Sequence, residues 1–214
     1  MERTYWKPAN MLNPAPAALI CSMDEDGRRN IMTAAWAGTV CSDPVMISVS
    51  IRPERYSYGI IERTGEFVLS LTNRKLAYAT DLCGVRSGRD LDKFAHLGLT
   101  EAPSRTIRTP GIAESPVNLE CRVRQMIPLG THTMFLAEVT GVNVDSALLD
   151  ERGRLQLDRA DLLSYVHGEY FTLGEKVGKF GYSVRKRKDR HRDRTEKPQK
   201  DTKNGGSRRG GGGA

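Results

Sequence analysis

The sequence predicts a mainly β protein, an antiparallel β-barrel with helices inserted between its strands. Three observations lead there. Apolar residues recur at period two in several separate segments, the signature of strands with one buried face. Helix-length segments fall irregularly between those strands instead of alternating with them one for one, which argues against a doubly wound parallel sheet. The body of the chain also has no GxGxxG or GxxxxGK[ST] motif, so neither a dinucleotide turn nor a P-loop supports nucleotide binding.

The elements follow in order. Residues 17–23 are a short apolar run after Pro14-Ala-Pro16, closed by Asp24-Glu-Asp-Gly27. That reads as a strand and a turn, and residues 29–35 return as its hairpin partner. A loop over 37–44 then leads to 45–51, which alternates strictly. Val45, Ile47, Val49 and Ile51 share the core face, while Met46, Ser48, Ser50 and Arg52 share the other. Residues 57–63 read as a short helix that Thr64-Gly65 ends, and 66–71 as a strand. Segments 73–83 and 91–97 are predicted helical, separated by Gly84-Val-Arg-Ser-Gly88. Residues 119–126 alternate again, with Leu119, Cys121 and Val123 opposed to Glu120, Arg122 and Arg124. After Pro128-Leu-Gly130, residues 131–144 run as a long strand.

The 214 residues divide into one domain, 1–183, and an appendage, 184–214. The appendage holds 12 of the 33 Lys/Arg and 4 of the 26 Asp/Glu, a charge of +8, which leaves the domain at −1. The overall charge of +7 is therefore a property of the tail, and basicity says nothing about the domain's work. With almost no apolar residues and a glycine-rich end, the tail is expected to be disordered. Three roles suit it: a solubilising extension, weak contact of its basic run with nucleic acid or an anionic membrane, or a tether to a protein partner.

Cys21, Cys41, Cys83 and Cys121 are widely spaced, with no CxxC pair and no His–Cys cluster, so no metal site is expected. The N-terminal residues lack the apolar run of a signal peptide. No stretch reaches the roughly 18 apolar residues of a membrane span. A reduced, cytoplasmic setting is the resulting expectation.

The strongest chemical signal lies in 50–57. Ser50 and Arg52 stand two residues apart on one strand face, so both can address one phosphate. The arginine fork suits phosphate oxygens. Ser57 sits near the start of the following helix, where free amides and the helix dipole favour an anion. A solvated charged turn is the bland alternative.

Several motifs, together and in order, carry a resemblance. They are Asn30-Ile-Met-Thr-Ala-Ala-Trp36, Ser50-Ile-Arg-Pro-Glu-Arg-Tyr-Ser57, Thr64-Gly-Glu-Phe67 and Cys83-Gly-Val-Arg-Ser-Gly-Arg-Asp-Leu-Asp-Lys-Phe94. Glu114-Ser-Pro-Val117 with Leu119-Glu-Cys121, Gly130-Thr-His132, Leu173-Gly174 and Phe180-Gly181 complete the set. Over residues 12–183 the chain resembles the flavin reductase-like, split-barrel flavoproteins, and within them the flavoredoxin branch.

The resemblance implies an FMN-binding split barrel, a homodimer with its flavin sites at or near the subunit interface, and a set of cofactor-binding residues. Asn30 would hydrogen-bond the flavin and Trp36 would pack beside it, where the plain readings are a turn residue and a core indole. Thr33, Ala34 and Ala35 are small enough to bring the backbone up to the ring. Ser50, Arg52 and Ser57 would anchor the phosphate. Lys93 and His132 would reach the cofactor, against readings as a surface lysine and a loop-edge histidine. Cys83 and Cys121 are left out as packing residues.

No nucleophile–base constellation is expected, because a flavin carries the chemistry itself. The activity implied is that of an NAD(P)H-dependent flavin reductase, passing hydride to FMN and electrons to an acceptor such as a redox protein or a monooxygenase. The alternative is a flavoredoxin-like electron carrier whose bound FMN is reduced by a protein donor. A third possibility is a flavin-storage or nucleic-acid-tethered module in which the tail is the working part.

Overall fold

The computed structural model describes residues 1–184. Met1–Gly174 form one compact unit, and the chain from Glu175 onward belongs to a second unit. In that second unit a 3-10 turn, Tyr182–Val184, is described. The expected disorder of the basic tail concerns residues outside those described.

In chain order the first unit begins with β1 (Ala15–Pro16), β2 (Ala18–Met23), β3 (Arg29–Ala34), β4 (Ala37–Ser42) and β5 (Val45–Ile51). Helix α1 (Tyr56–Thr64), β6 (Glu66–Leu71), α2 (Ala77–Val85) and α3 (Lys93–Leu97) follow. Short strands β7 (Glu101–Ala102) and β8 (Gly111–Ile112) precede the long pair β9 (Val117–Pro128) and β10 (Thr133–Val144). A hairpin, β11 (Leu163–Val166) and β12 (Glu169–Thr172), ends the unit.

Seven strands form one sheet in the order β3-β2-β6-β9-β10-β5-β4, with every neighbouring pair antiparallel. Its two edges, β3 and β4, are consecutive in the chain and share no ladder. A bond from Ser50 N to Trp36 O, 2.8 Å, draws β5 against the segment that joins them. The result is a mainly β split barrel.

Alternation explains what fills it. Ala18 and Ile20 of β2, Met32 and Ala34 of β3, and Ile47, Val49 and Ile51 of β5 meet Phe67, Leu69, Cys121 and Phe135 inside the barrel. Fully burying a side chain such as Phe67 or Phe135 is worth roughly 1.5–3 kcal/mol. The opposite faces of the same strands are buried too. Leu19, Cys21, Ile31 and Val68 pack against Cys83 of α2 and Phe94 of α3 in a second cluster. This double burial is why β2 reads as a continuous apolar run.

Helix ends obey local chemistry. Gly65, at φ +69°, closes α1 by returning its N–H to Ile61 O. Asp92 caps α3 through Ala95 N, and Gly98 at φ +62° ends it. Strand β5 occupies the residues predicted for it, and β6 likewise.

Two differences from the sequence expectation stand out. The segment predicted as a loop over 37–44 contains β4. Its Ala-Gly-Thr-Val-Cys-Ser sequence is mostly exposed and bulged between Thr39 and Cys41, so it carries no buried-face periodicity. Pairing to β5 on one side is what makes it a strand, as an edge. The β11–β12 hairpin was also not predicted. It turns on His167 and Gly168, both at positive φ, and pairs with β1. Among the described residues no helix is long and apolar enough to cross a membrane.

Candidate functional site

A cavity of about 590 Å³ opens where β3, the end of β5, the start of α1 and the loop after α2 converge. Beyond Ile51 the chain turns at Arg52, whose carbonyl accepts Arg55 N at 3.1 Å, and α1 begins at Tyr56. The N-cap residue Arg55 makes no side-chain cap bond, so the first-turn amides of α1 lack a side-chain acceptor. Those amides, with the helix dipole, favour a negative charge at the cavity wall.

Basic side chains reinforce that preference. Arg52, Arg55, Arg86, Arg89 and Lys93 line the cavity against one acid, Glu54. Arg55 donates to Gly84 O at 3.1 Å, and Arg89 donates to Glu54 O at 3.3 Å. The Arg89 guanidinium also lies over the Tyr56 ring, 5.5 Å from its centroid. The turn before α1 is thereby tied to the last turn of α2 by Arg55 and to the loop after it by Arg89.

At the inner end stands a polar group on the barrel-facing side of β2 and β3. Asn30 Nδ2 donates to Ser57 Oγ at 2.8 Å, and Ser22 Oγ donates to the same oxygen at 3.2 Å. All three residues are buried. Asn30 Oδ1 has no hydrogen-bond partner although it is fully enclosed. A buried acceptor left open costs about 1–3 kcal/mol, so a donor from a bound molecule is what this position lacks. Gly88 crosses directly over this amide, where a Cβ would collide with Asn30 Oδ1 and come within 2.9 Å of Tyr56 Cδ1.

Lys93 enters from α3 with only 3 % of its surface exposed. Its ammonium donates to Ile31 O at 2.6 Å and Cys83 O at 3.1 Å, tying β3 to the end of α2. Burial pushes its pKa below the ordinary lysine value; Cys83 opposes that shift and Arg55 adds to it. The Cys83 thiol is pushed up to about 11 by burial, against the pull of Lys93, and stays protonated.

Of the ten residues proposed from sequence, the cavity wall contains Asn30, Arg52, Ser57 and Lys93. The other six lie outside it. Trp36, 39 % exposed, Ser50 and His132 flank Arg52 along the outer side of β5. The His132 ring is held below its ordinary pKa by partial burial and then by the Arg52 cation, with Glu54 opposing. Its Nδ1 shares a 2.9 Å bond with the Thr131 hydroxyl. Thr33 turns away, donating its hydroxyl to Thr80 O under α2. Ala34 faces the barrel interior and Ala35 is half-buried.

Sequence reasoning did not single out Arg55, Tyr56, Arg86, Gly88 and Arg89, all of which line the cavity. A usable signal was present: Arg86-Ser-Gly-Arg89 sets two arginines around a glycine just past a helix end.

A family model for a flavin reductase-like domain matches residues 11–174. Among curated proteins, an uncharacterised protein of Archaeoglobus fulgidus is 32 % identical over 161 residues, 75 % of this chain and 89 % of that protein. Among solved structures, the flavoredoxin of Desulfovibrio vulgaris (Miyazaki F) is similar at TM-score 0.80 and 33 % identity, over 86 % of this chain and all of that one. A flavoredoxin from Methanosarcina acetivorans follows at TM-score 0.78 and 25 % identity, with the same coverage.

Proposed function

Because this chain belongs to the flavin reductase-like family, we propose that it binds FMN at the α1 cavity and works as an NAD(P)H-dependent flavin reductase-type oxidoreductase. One observation carries the reading: an uncapped helix start, uncompensated arginines and an orphaned buried acceptor converge on one cavity. A phosphorylated polyol needs that donor and acceptor set. Bound there, FMN would supply the hydride and electron transfer, and the protein would bind, orient and tune it.

The first turn of α1, the Ser57 hydroxyl and Arg52 would hold the phosphate, with Ser50 on the same face of β5. Asn30 Oδ1 would accept a hydroxyl of the ribityl chain. Trp36 and the backbone of Thr33, Ala34 and Ala35 would flank the ring. Lys93 and His132 would balance charge on the cofactor. NADH or NADPH would be the electron donor, and a redox protein or monooxygenase the acceptor. The working form would be a homodimer in the cytoplasm. The domain would run to residue 183, with the basic tail beyond it as an extension that contacts nucleic acid weakly or not at all.

A second reading is favoured by the 33 % identity to a flavoredoxin: an electron carrier with tightly bound FMN and a protein donor. An absorbance spectrum of the purified protein, before and after anaerobic NADH or NADPH, separates the two. Flavin bands that bleach with nicotinamide support the reductase, and bands that persist support the carrier. A protein that neither carries nor takes up FMN overturns both.

A further inference from the structure

We propose that Ser22 is a positioning residue of the anion site: it fixes the direction of the Ser57 hydroxyl proton and so sets the preference for a phosphorylated flavin. This rests on the FMN reading above. Ser22 lies on β2, 1 % exposed, and is not part of the cavity wall. Its hydroxyl donates to Ser57 Oγ at 3.2 Å.

The argument is one of hydrogen-bond capacity. A serine hydroxyl has one proton and two acceptor sites. At Ser57 both acceptor sites are taken, one by Asn30 Nδ2 at 2.8 Å and one by Ser22 Oγ at 3.2 Å. The capacity left over is the proton, and it must point away from both donors. Ser57 is fully buried yet lines the cavity at the second position of α1, beside the amides that share its outlook. An anionic oxygen there would receive a short, charge-assisted bond in addition to those amides.

Without the Ser22 hydroxyl, one acceptor site of Ser57 falls vacant and its proton is no longer confined. With the direction toward Ser22 open, the Ser57 proton is free to leave the cavity side while Asn30 Nδ2 keeps its place on the other acceptor site. The phosphate loses an oriented donor, although no residue touching it has changed.

The test compares FMN with riboflavin, which lacks the phosphate, by quenching of flavin fluorescence on titration into the full chain. The variants are Ser22→Ala, Ser57→Ala and both together, each checked by thermal melting. The Ser22→Ala change is expected to weaken FMN binding about three- to tenfold, the scale of one hydrogen bond, and to leave riboflavin binding unchanged. In the Ser57→Ala background it is expected to have no further effect, because it acts through Ser57. Ser22→Thr, which keeps the hydroxyl, restores the FMN preference. Equal losses for FMN and riboflavin, or additive effects in the double variant, overturn the positioning role. Wild-type protein that binds FMN no more tightly than riboflavin instead sinks the phosphate site, and the inference with it.

Discussion

Replacing Gly88 by alanine tests how tightly the loop after α2 closes on the candidate site. A Cβ at this position would overlap Asn30 Oδ1, lie 2.5 Å from Asn30 Cγ and 2.9 Å from Tyr56 Cδ1. Real side-chain contacts do not approach that closely, so either the amide or the loop must yield. If the amide yields, the 2.8 Å bond from Asn30 to Ser57 breaks and leaves buried polar atoms unpaired, a cost of about 1–3 kcal/mol. If the loop yields, Arg86 and Arg89 withdraw from the cavity wall. Either route is expected to weaken FMN binding at least tenfold, since about 1.4 kcal/mol corresponds to a factor of ten. Urea denaturation separates the two, because lost stability marks the first route and lost affinity alone the second. Gly38→Ala serves as the control, since nothing lies within 4 Å of its Cβ position. A Gly88→Ala protein with wild-type stability and FMN affinity within twofold would refute the close packing of this loop.

Glu120 offers a test of pH dependence. Its buried carboxylate accepts from Arg105 N, Thr106 N at 2.7 Å and the Thr106 hydroxyl at 2.6 Å. Burial raises its pKa, but these bonds outweigh it and hold the pKa below the ordinary carboxylate value. The folded state thus binds fewer protons than the unfolded one, so stability is present above the unfolded pKa and lost as pH falls through the folded one. Glu120→Gln is expected to cost about 1–3 kcal/mol near neutrality, with the gap to wild type narrowing only as pH falls below the ordinary carboxylate range. A gap that stays constant from pH 7 down to the acid unfolding of the protein would contradict this. His167, at φ +50° ahead of Gly168 in a two-residue hairpin turn, occupies a position that asparagine fills with less strain. The change to asparagine is expected to stabilise by about 0.5–1 kcal/mol. An unchanged or lower melting temperature would count against it.

The strands that line the core were legible because period-two burial writes itself into residue choice. Val45 to Ile51 alternates, and Ile47, Val49 and Ile51 are the residues turned into the barrel. The edge strand β4 was not legible, because an edge owes its conformation to one partner and buries little. The hairpin at His167 escaped for a different reason: its turn lacks the Asn-Gly or Asp-Gly pair that marks such loops. In the site, Ser50 and Arg52 share a strand face as their spacing requires, yet only Arg52 reaches the cavity. Spacing fixes the face of a strand, whereas the position of the 86–89 loop depends on where α2 ends. That is a tertiary matter, decided by Cys83 packing against Ile31 and Val68.

What favours an anion at this cavity is that five cations gather on its wall against a single acid. Arg29, Arg74, Arg124 and Arg154 each meet a carboxylate, at Glu101, Asp161, Glu138 and Asp150 respectively. Around the cavity, as for Arg108 and Arg122 elsewhere, the cations are held by backbone carbonyls. Arg55 binds Gly84 O, Arg89 binds Glu54 O, and Lys93 binds the carbonyls of Ile31 and Cys83. Carbonyl partners fix a cation's position without cancelling its charge. If FMN binds as proposed, its phosphate would meet Arg55, Arg89 and Lys93 without breaking an ion pair of theirs with an acid, so less of the binding energy would be lost to reorganisation. The same carbonyl ties make the site sensitive to packing that lies outside it. Ile31 belongs to the helix-facing cluster while its neighbours Asn30 and Met32 face the barrel side of β3. A shift of α2 or α3 against that strand would move Lys93 and Asn30 together.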